Sequence, residues 1–281
     1  MKKPIKRAGI IHDIVAFGKA GMMNILPVIA QMNVEACPIP TMTFSTHTAY
    51  RDPAVRVLDG FITAVLKHFK AEQIALDTLL VGYLGRPALV DEAVAFVRSY
   101  KETGTRIILD PIFADHGKLY ANISVDYIEH LKRLLPLCDI VIPNVTEAAF
   151  LTGETKAKDM AAALIEMGCK NVIITGVDVE DERIDIITHT DLGYRLHRMP
   201  RVKRNLHGTG DVFAGLVTGY YTHRVLLEEA VEMAHEFIFR CITGSLQYEY
   251  DYKEGILLEH FLRDIPGYEQ TERSIGKAET D

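Results

Sequence analysis

The sequence predicts an α/β fold: an open, mostly parallel sheet with helices on both faces and an antiparallel hairpin toward one edge. Three observations carry this expectation. Six short runs rich in Ile, Val and Leu recur along the chain without polar alternation, as strands covered on both faces of a parallel sheet require. Helical patterns lie between them, and repeated strand–helix–strand units imply right-handed crossovers. One later segment alternates instead, around a turn at Asp191-Leu192-Gly193, which reads as an antiparallel hairpin.

Taken in order, "AGIIH" (8–12) is the first strand. Residues 20–33 read as a helix in which Pro27 requires a kink or a break, because proline removes a backbone donor. "VEACPI" (34–39) is the second strand. Residues 53–69 read as a helix, with Val57, Phe61, Val65 and Phe69 at steps of four and Leu58, Ile62 and Leu66 beside them. "TLLVGY" (78–83), "RIILD" (106–110), "DIVIP" (139–143) and "NVIIT" (171–175) complete the set of strands. "DMAAALIEMGC" is helical and closes on Gly168, a favourable residue for a helix C-terminus. The hairpin occupies 184–198, and helical runs follow at 210–222 and 228–246. Residues 266–281 are polar and expected to fray. With no repeat, low-complexity tract or linker, residues 1–281 are expected to form a single domain.

Nearly half of the 281 residues are hydrophobic, enough for a large core, and the net charge is −7. That balance argues against broad electrostatic binding to nucleic acid or acidic membranes. Cys37, Cys138, Cys169 and Cys241 have neither paired nor metal-type spacing. They read as small hydrophobes in a reducing compartment. No stretch has the length of a membrane span, and Asp13 interrupts the short apolar run after the basic start. A cytoplasmic protein is expected.

Ligands of open α/β sheets bind beyond the carboxyl ends of the strands, and polar residues stand at those predicted ends. They are His12-Asp13 before "FGKAG", Tyr83 between Gly82 and Gly85, Asp110 and Asp115 in "DPIFADHG", and Asn144 and Glu147 in "PNVTEAAF". Each also has a structural reading. Asn144 and Glu147 have capping-box spacing, Asp110-Pro111 suits a turn, and Asp13 suits a helix cap. Converging on one rim, the acidic groups suit Mg²⁺, which takes one or two carboxylates together with phosphates and water. "NLHGTGDVFAG" places Asp211 directly behind Gly-Thr-Gly. This is either a plain helix start or a set of backbone N–H groups closing on an anion with a base beside it. The basic run Arg195, Arg198, Arg201, Lys203 and Arg204 either steers a polyphosphate toward that turn or is a solvated hairpin face. Walker-type, dinucleotide-binding, zinc-protease and serine-hydrolase motifs are absent from the sequence.

The ordered set "IIHDIVAFGKAG", "FSTHTAY", "GYLG", "LDPIFADHGKLY", "PNVTEAAFLTG" and "HGTGDVFAG" resembles the pyridoxal kinases of the ribokinase-like superfamily, over about residues 8–250. The resemblance implies a three-layer ribokinase-like fold and phosphoryl transfer from ATP to the 5′-hydroxymethyl group of pyridoxal, pyridoxamine or pyridoxine. It implies that Asp211 is the catalytic base and that the N–H groups of Gly208, Thr209 and Gly210 form the anion hole. It assigns Asp13, Thr48 and Tyr83 to the substrate pocket, and Asp110, Asp115, Asn144 and Glu147 to ATP and Mg²⁺. Asp115 and Glu147 would hold the metal, directly or through water. A homodimer is implied by the family alone. Two departures stand out: Asp13 where Ser is common, and Ala114 where the family has Gly. The alternatives are a hydroxymethylpyrimidine or sugar kinase of the same superfamily, or a non-catalytic B6-binding protein. The first loop lacks the Gly-Ser-Asp-Ser-Gly-Gly-Ala-Gly type of sequence of the pyrimidine kinases, no sugar-kinase Gly-Gly turn or lid is evident, and the intact Gly-Thr-Gly-Asp argues against a non-catalytic role.

Overall fold

A computed structural model describes residues 5–177, 182–204 and 206–267. Nine described strands form one sheet: β1 (Lys6–Phe17), β2 (Val34–Thr46), β3 (Val55–Val57), β4 (Thr78–Val81), β5 (Arg106–Leu109), β8 (Ile140–Val141), β9 (Asn171–Val177), β10 (Arg183–Thr190) and β11 (Gly193–Pro200). A two-stranded ribbon, β6 (Ala114–Asp115) with β7 (Lys118–Leu119), stands apart. The sheet order is β11-β10-β9-β8-β5-β4-β1-β2-β3. From β2 to β9 the pairs are parallel, while β9-β10-β11 and β2-β3 are antiparallel.

The uninterrupted apolar runs are explained by two cores. Ile11, Leu79, Val81, Ile107, Leu109 and Val141 face one. Ala8, Ile10, Leu80, Ile108 and Ile140 face the other. The first core is covered by α2 (Phe61–Ala71), α3 (Pro87–Lys101), α4 (Val125–Lys132), α5 (Val145–Thr152) and α6 (Ala157–Glu166). The second is covered by α1 (Met22–Gln31), α7 (Thr209–Thr222), α8 (Leu227–Ser245) and the short α9 (Leu258–Phe261). Helices α1 and α7 approach closely because α7 lacks side chains where they meet. A Cβ on Gly219 would lie 2.3 Å from Met32 Sδ, and one on Gly215 would lie 3.5 Å from Ile25 Cα.

Three features depart from the sequence reading. The helix expected over 53–69 begins only at Phe61, behind Gly60 in the left-handed region (φ 79°). Residues 55–57 instead form edge strand β3 against Met42–Phe44. Val57 fitted the four-residue step because a strand face, with period two, also returns every fourth residue. Of the kink or break expected at Pro27, the break does not occur, since α1 runs continuously from Met22 to Gln31. Its buried face of Met22, Ile25, Val28 and Ile29 packs on α7 and outweighs one missing backbone bond. Strands β1 and β2 extend well beyond their apolar centres, as a paired ribbon that needs only backbone bonding. The tail from Tyr268 onward lies outside the described residues.

Among the described residues no helix is long and apolar enough to cross a membrane. The four cysteines are free thiols, three of them buried and Cys37 half-buried. Burial pushes the Cys169 and Cys241 thiols up to about 12, so neither is a nucleophile near neutral pH.

Candidate active site

Helix α7 starts at Gly208, whose φ of 84° is the left-handed conformation that glycine adopts without strain. Asp211 falls in the first turn, where backbone N–H groups have no partner within the helix. The two glycines answer different needs. A Cβ on Gly208 would lie 2.1 Å from Asn24 Nδ2 and 2.6 Å from the Lys19 carbonyl oxygen. One on Gly210 would meet nothing within 4 Å. Gly208 therefore allows the chain to pass α1, and Gly210 leaves the approach to the helix N-terminus open.

Asp211 is fixed from outside its own helix. Its Oδ2 accepts a hydrogen bond of 2.8 Å from the Gly21 N–H, at the start of α1. Gly21 needs a positive φ (58°), and a Cβ there would meet the Asp13 carbonyl oxygen at 2.5 Å. The "FGKAG" segment is thus the turn that brings the α1 N-terminus onto Asp211.

At the end of β4, Gly82 makes room for the His12 ring, since a Cβ there would lie 2.0 Å from His12 Cδ2. His12 is buried between two carboxylates. Its Nδ1 lies 2.7 Å from Asp13 Oδ1 and its Nε2 3.5 Å from Asp211 Oδ1. The same Nδ1 also lies 2.9 Å from the Asp13 backbone nitrogen, so Asp13 holds the ring through both its side chain and its backbone. Burial pulls the imidazolium pKa down, but the contact with Asp13 and the charges of Asp13 and Asp211 overcome this and raise it to about 10. A β-bulge falls here, because the β1-β2 register shifts between His12 and Ile14, releasing Asp13 from regular pairing. Helix α1 is capped by Gly21 with no side-chain bond, so the capping role considered for Asp13 is not realised. Sequence reasoning quoted His12 without assigning it a role. The adjacent His-Asp pair at a strand end was the available signal.

A histidine whose folded pKa exceeds its unfolded value of about 6.5 adds stability that is complete below that value and lost as pH rises through the folded pKa. Wild type is therefore expected to lose thermal stability between pH 7 and about 10. His12→Gln should show a shallower decline in Tm, and parallel profiles for the two proteins would contradict the assignment.

Tyr83 lies on the same side as Asp13, whose charge, after burial, contributes to raising the phenol pKa. Asn122 Nδ2 donates to the Tyr83 hydroxyl at 2.6 Å. Thr48 is exposed in a turn after β2. The structure brings it near the start of α7 through its neighbour: the His47 ring packs 4.7 Å from the His207 ring, centroid to centroid. No direct contact joins Thr48 to Asp13 or Tyr83 among the described residues.

On the other side of the rim, Asn144 and Glu147 form a complete capping box at the start of α5. Glu147 Oε2 accepts from the Asn144 N–H at 2.9 Å and Oε1 from the Phe113 N–H at 3.1 Å. Asn144 Nδ2 donates to the Ala114 carbonyl at 2.8 Å. Together they tie the Asp110–Asp115 loop to α5. Ala114 has no positive φ, so glycine is not required there. Asp115 is half exposed, with Oδ1 accepting from the His116 N–H.

Burial first, and then the Asp110 charge, push the Glu147 carboxyl well above the usual carboxylate range. Asp110 is buried with no side-chain donor among the described residues. Burial and the Asp211 charge, opposed by His12, raise its pKa to about 8. No group of three His, Cys, Asp or Glu side chains among the described residues is placed to hold a metal alone. Asp110 and Asp115 put carboxylates on the loop after β5, the kind of oxygen donor a hard cation takes alongside phosphate and water.

Glu147→Gln replaces one acceptor with a donor facing a buried backbone N–H. The expected cost is about 1–3 kcal/mol, or a Tm lowered by roughly 2–10 °C, accompanied by a higher Mg²⁺ requirement as the Asp110–Asp115 loop loosens. Thermal unfolding and Mg²⁺ titration measure both. An unchanged Tm would remove the structural role argued for Glu147.

The basic run is divided. Arg195 pairs with Glu232 on α8, and Arg204 lies over the Tyr252 ring at 5.5 Å. A surface groove of about 540 Å³ between β11 and α8, lined by Arg195, His197, Arg198 and Glu232, contains none of the rim residues.

Strand-end carboxylates around a glycine-initiated helix, at the point where β1 connects to β2 on one side and pairs with β4 on the other, define a phosphotransferase type of site. The phosphomethylpyrimidine kinase family model matches residues 16–255. A pyridoxal kinase of Corynebacterium diphtheriae is 28% identical, with 89% of this chain and 92% of that protein covered. A hydroxymethylpyrimidine/phosphomethylpyrimidine kinase of Haemophilus influenzae is 32% identical over 85% of this chain and 87% of that protein. A Bacteroides thetaiotaomicron protein, solved in a crystal form with pyridoxal, superimposes with a TM-score of 0.88 at 27% identity, covering 93% and 96% of the two chains. The chain belongs to the phosphomethylpyrimidine kinase family, in which pyridoxal kinases are among its relatives, and its fold is ribokinase-like.

Proposed function

We propose that this enzyme transfers the γ-phosphoryl group of ATP to the 5′-hydroxymethyl group of a vitamin B6 vitamer. The observation that carries this reading is Asp211, held by the Gly21 N–H at the open N-terminus of α7, in a chain that aligns with pyridoxal kinases over most of its length. Phosphoryl transfer has a loose transition state, so positioning and charge stabilisation dominate. The N–H groups of Gly208, Thr209 and Gly210 receive the negative charge of the migrating group, and Asp211 accepts the hydroxyl proton. Asp13, Tyr83 and Asn122 face the pyridine ring, with Thr48 at the entrance. Asp110 and Asp115 would hold Mg²⁺ from the β5 loop, which Asn144 and Glu147 secure, with Glu147 reaching the ion only through water. When bound, the ion supplies neutralising charge to the transferring phosphates.

ATP consumption with pyridoxal, pyridoxamine, pyridoxine and hydroxymethylpyrimidine as separate acceptors tests the reading. Turnover on B6 vitamers at least roughly tenfold above that on the pyrimidine is expected. The second reading, a hydroxymethylpyrimidine kinase, is favoured by the 32% identity to the Haemophilus enzyme, and the reverse preference would establish it.

Asp13 bears on vitamer choice. One of its oxygens is committed to His12, leaving the other for the ring or its aminomethyl group. A charge-assisted bond is worth about 1.5–3 kcal/mol, and sharing the charge with His12 places the effect near the lower bound. Asp13→Ser is therefore expected to lower kcat/KM for pyridoxamine roughly tenfold more than for pyridoxal. Equal losses on both vitamers, with a lower Tm, would make Asp13 structural.

A further inference from the structure

The catalytic reading above uses Asp211 and leaves His12 without a task, although His12 is among the most enclosed polar side chains of the site. Three observations define its situation. Its Nδ1 is engaged by Asp13 twice, at 2.7 Å from the side-chain Oδ1 and 2.9 Å from the backbone nitrogen, which fixes the ring. The ring lies against the β4 end where Gly82 has no side chain, and any Cβ there would overlap it. Its Nε2 is buried, makes no hydrogen bond in the structure, and lies 3.5 Å from Asp211 Oδ1.

A buried ring nitrogen without a partner is costly unless it acquires one. Among the described residues, the one carboxylate within reach of Nε2 belongs to the proposed base. The other Asp211 oxygen is already held by the Gly21 N–H at 2.8 Å. Hydrogen bonds in catalytic groups are often long in the unliganded state and shorten in the reactive complex. The charged groups facing His12 come from three elements: Asp13 on its own strand, Asp211 on α7, and Asp110 after β5.

Resting on the assignment of Asp211 as the base, we propose that His12 is a positioning residue for phosphoryl transfer. Clamped by Asp13, it presents Nε2–H to Asp211 Oδ1. With the Gly21 N–H on Oδ2, this sets the orientation from which the carboxylate takes the substrate proton. The same bridge connects the carboxylate facing the ring to the carboxylate facing the hydroxymethyl group. The proton lost by the substrate hydroxyl goes to Asp211, and His12 keeps its own protons throughout.

The test is a double-mutant cycle on the full chain with ATP, Mg²⁺ and pyridoxal. His12→Leu removes both donors, and His12→Asn, too short to span the two carboxylates, retains a polar side chain for folding. Each is combined with Asp211→Asn. In the wild-type background both His12 variants are expected to lower kcat roughly tenfold to a hundredfold, with KM for ATP changed less than about twofold. In the Asp211→Asn background the same substitutions should cost less than about threefold, because the group they orient is gone. Equal fold losses in the two backgrounds, or wild-type turnover by His12→Asn, would overturn the proposal while leaving Asp211 as the base. Should His12→Leu fail to fold, the His12→Asn arm decides by the same criteria. Full turnover by Asp211→Asn alone would instead remove the underlying assignment, and with it the role of His12.

Discussion

Asp211→Asn is expected to lower kcat by roughly 10²–10⁴-fold while leaving KM for ATP within about threefold of wild type. The substitution preserves size, and the amide oxygen still accepts from the Gly21 N–H, the bond made by Oδ2 in the structure. What is lost is the proton acceptor, together with a negative charge beside His12 and Asp110. The α7 N–H groups proposed to receive the phosphoryl group belong to the backbone and are unchanged. A loss realised only in the transition state lowers kcat and kcat/KM together. Single-turnover measurements with pyridoxal decide the matter, since they exclude product release. A variant retaining most of its turnover would show that positioning and charge suffice without a base, a result the loose transition state makes worth testing.

The second large effect is expected at the two glycines before Asp211, in opposite observables. Gly208→Ala places a Cβ 2.1 Å from Asn24 Nδ2 and 2.6 Å from the Lys19 carbonyl, at a residue with φ of 84°. The left-handed conformation costs a non-glycine residue about 1–2 kcal/mol, and relieving the overlap adds about 1–3 kcal/mol. A Tm lowered by roughly 4–15 °C follows, with activity falling because the first turn of α7 shifts. Gly210→Ala meets nothing within 4 Å, and alanine within a helix is favoured over glycine by about 0.5–1 kcal/mol. Its Tm should be unchanged or slightly raised, yet the methyl group projects into the approach to the N-terminal donors, and kcat should fall at least roughly tenfold. Differential scanning calorimetry paired with steady-state kinetics separates the two cases. Normal turnover by Gly210→Ala would show that the phosphoryl group does not enter from that side.

Much of the fold was legible in the sequence. The sheet core was visible because burial on both faces leaves no room for polar residues, as at Ile107–Leu109. The hairpin was visible because two strand-like runs flank the turn before Gly193, and they pair antiparallel from Thr190–Gly193 outward, although the burial of β10 does not alternate. Edge strand β3 was not, since three half-exposed residues ahead of a helix carry too little pattern to separate periods two and four. In the site, spacing showed the capping potential of Asn144 and Glu147 and the helix start at Gly208-Thr209-Gly210-Asp211. Spacing could not show that Glu147 also accepts from the Phe113 N–H, because that contact depends on how the β5 loop returns over α5.

The sequence by itself determined the central strands of the sheet, the two long helices after the hairpin, and that Asp211 opens a helix behind two glycines. Those properties depend on neighbours in the chain: runs of apolar side chains, capping residues, and positions where only glycine fits. The tertiary structure decided that His12 lies between Asp13 and Asp211, that the Gly21 N–H holds Asp211, and that Gly82 leaves room for the His12 ring. These contacts join β1, β4, α1 and α7, which are distant in sequence and adjacent because β1 pairs with both β2 and β4. A side chain's partners across such a junction are set by the crossovers and the bulge at Asp13, and local pattern carries no record of either.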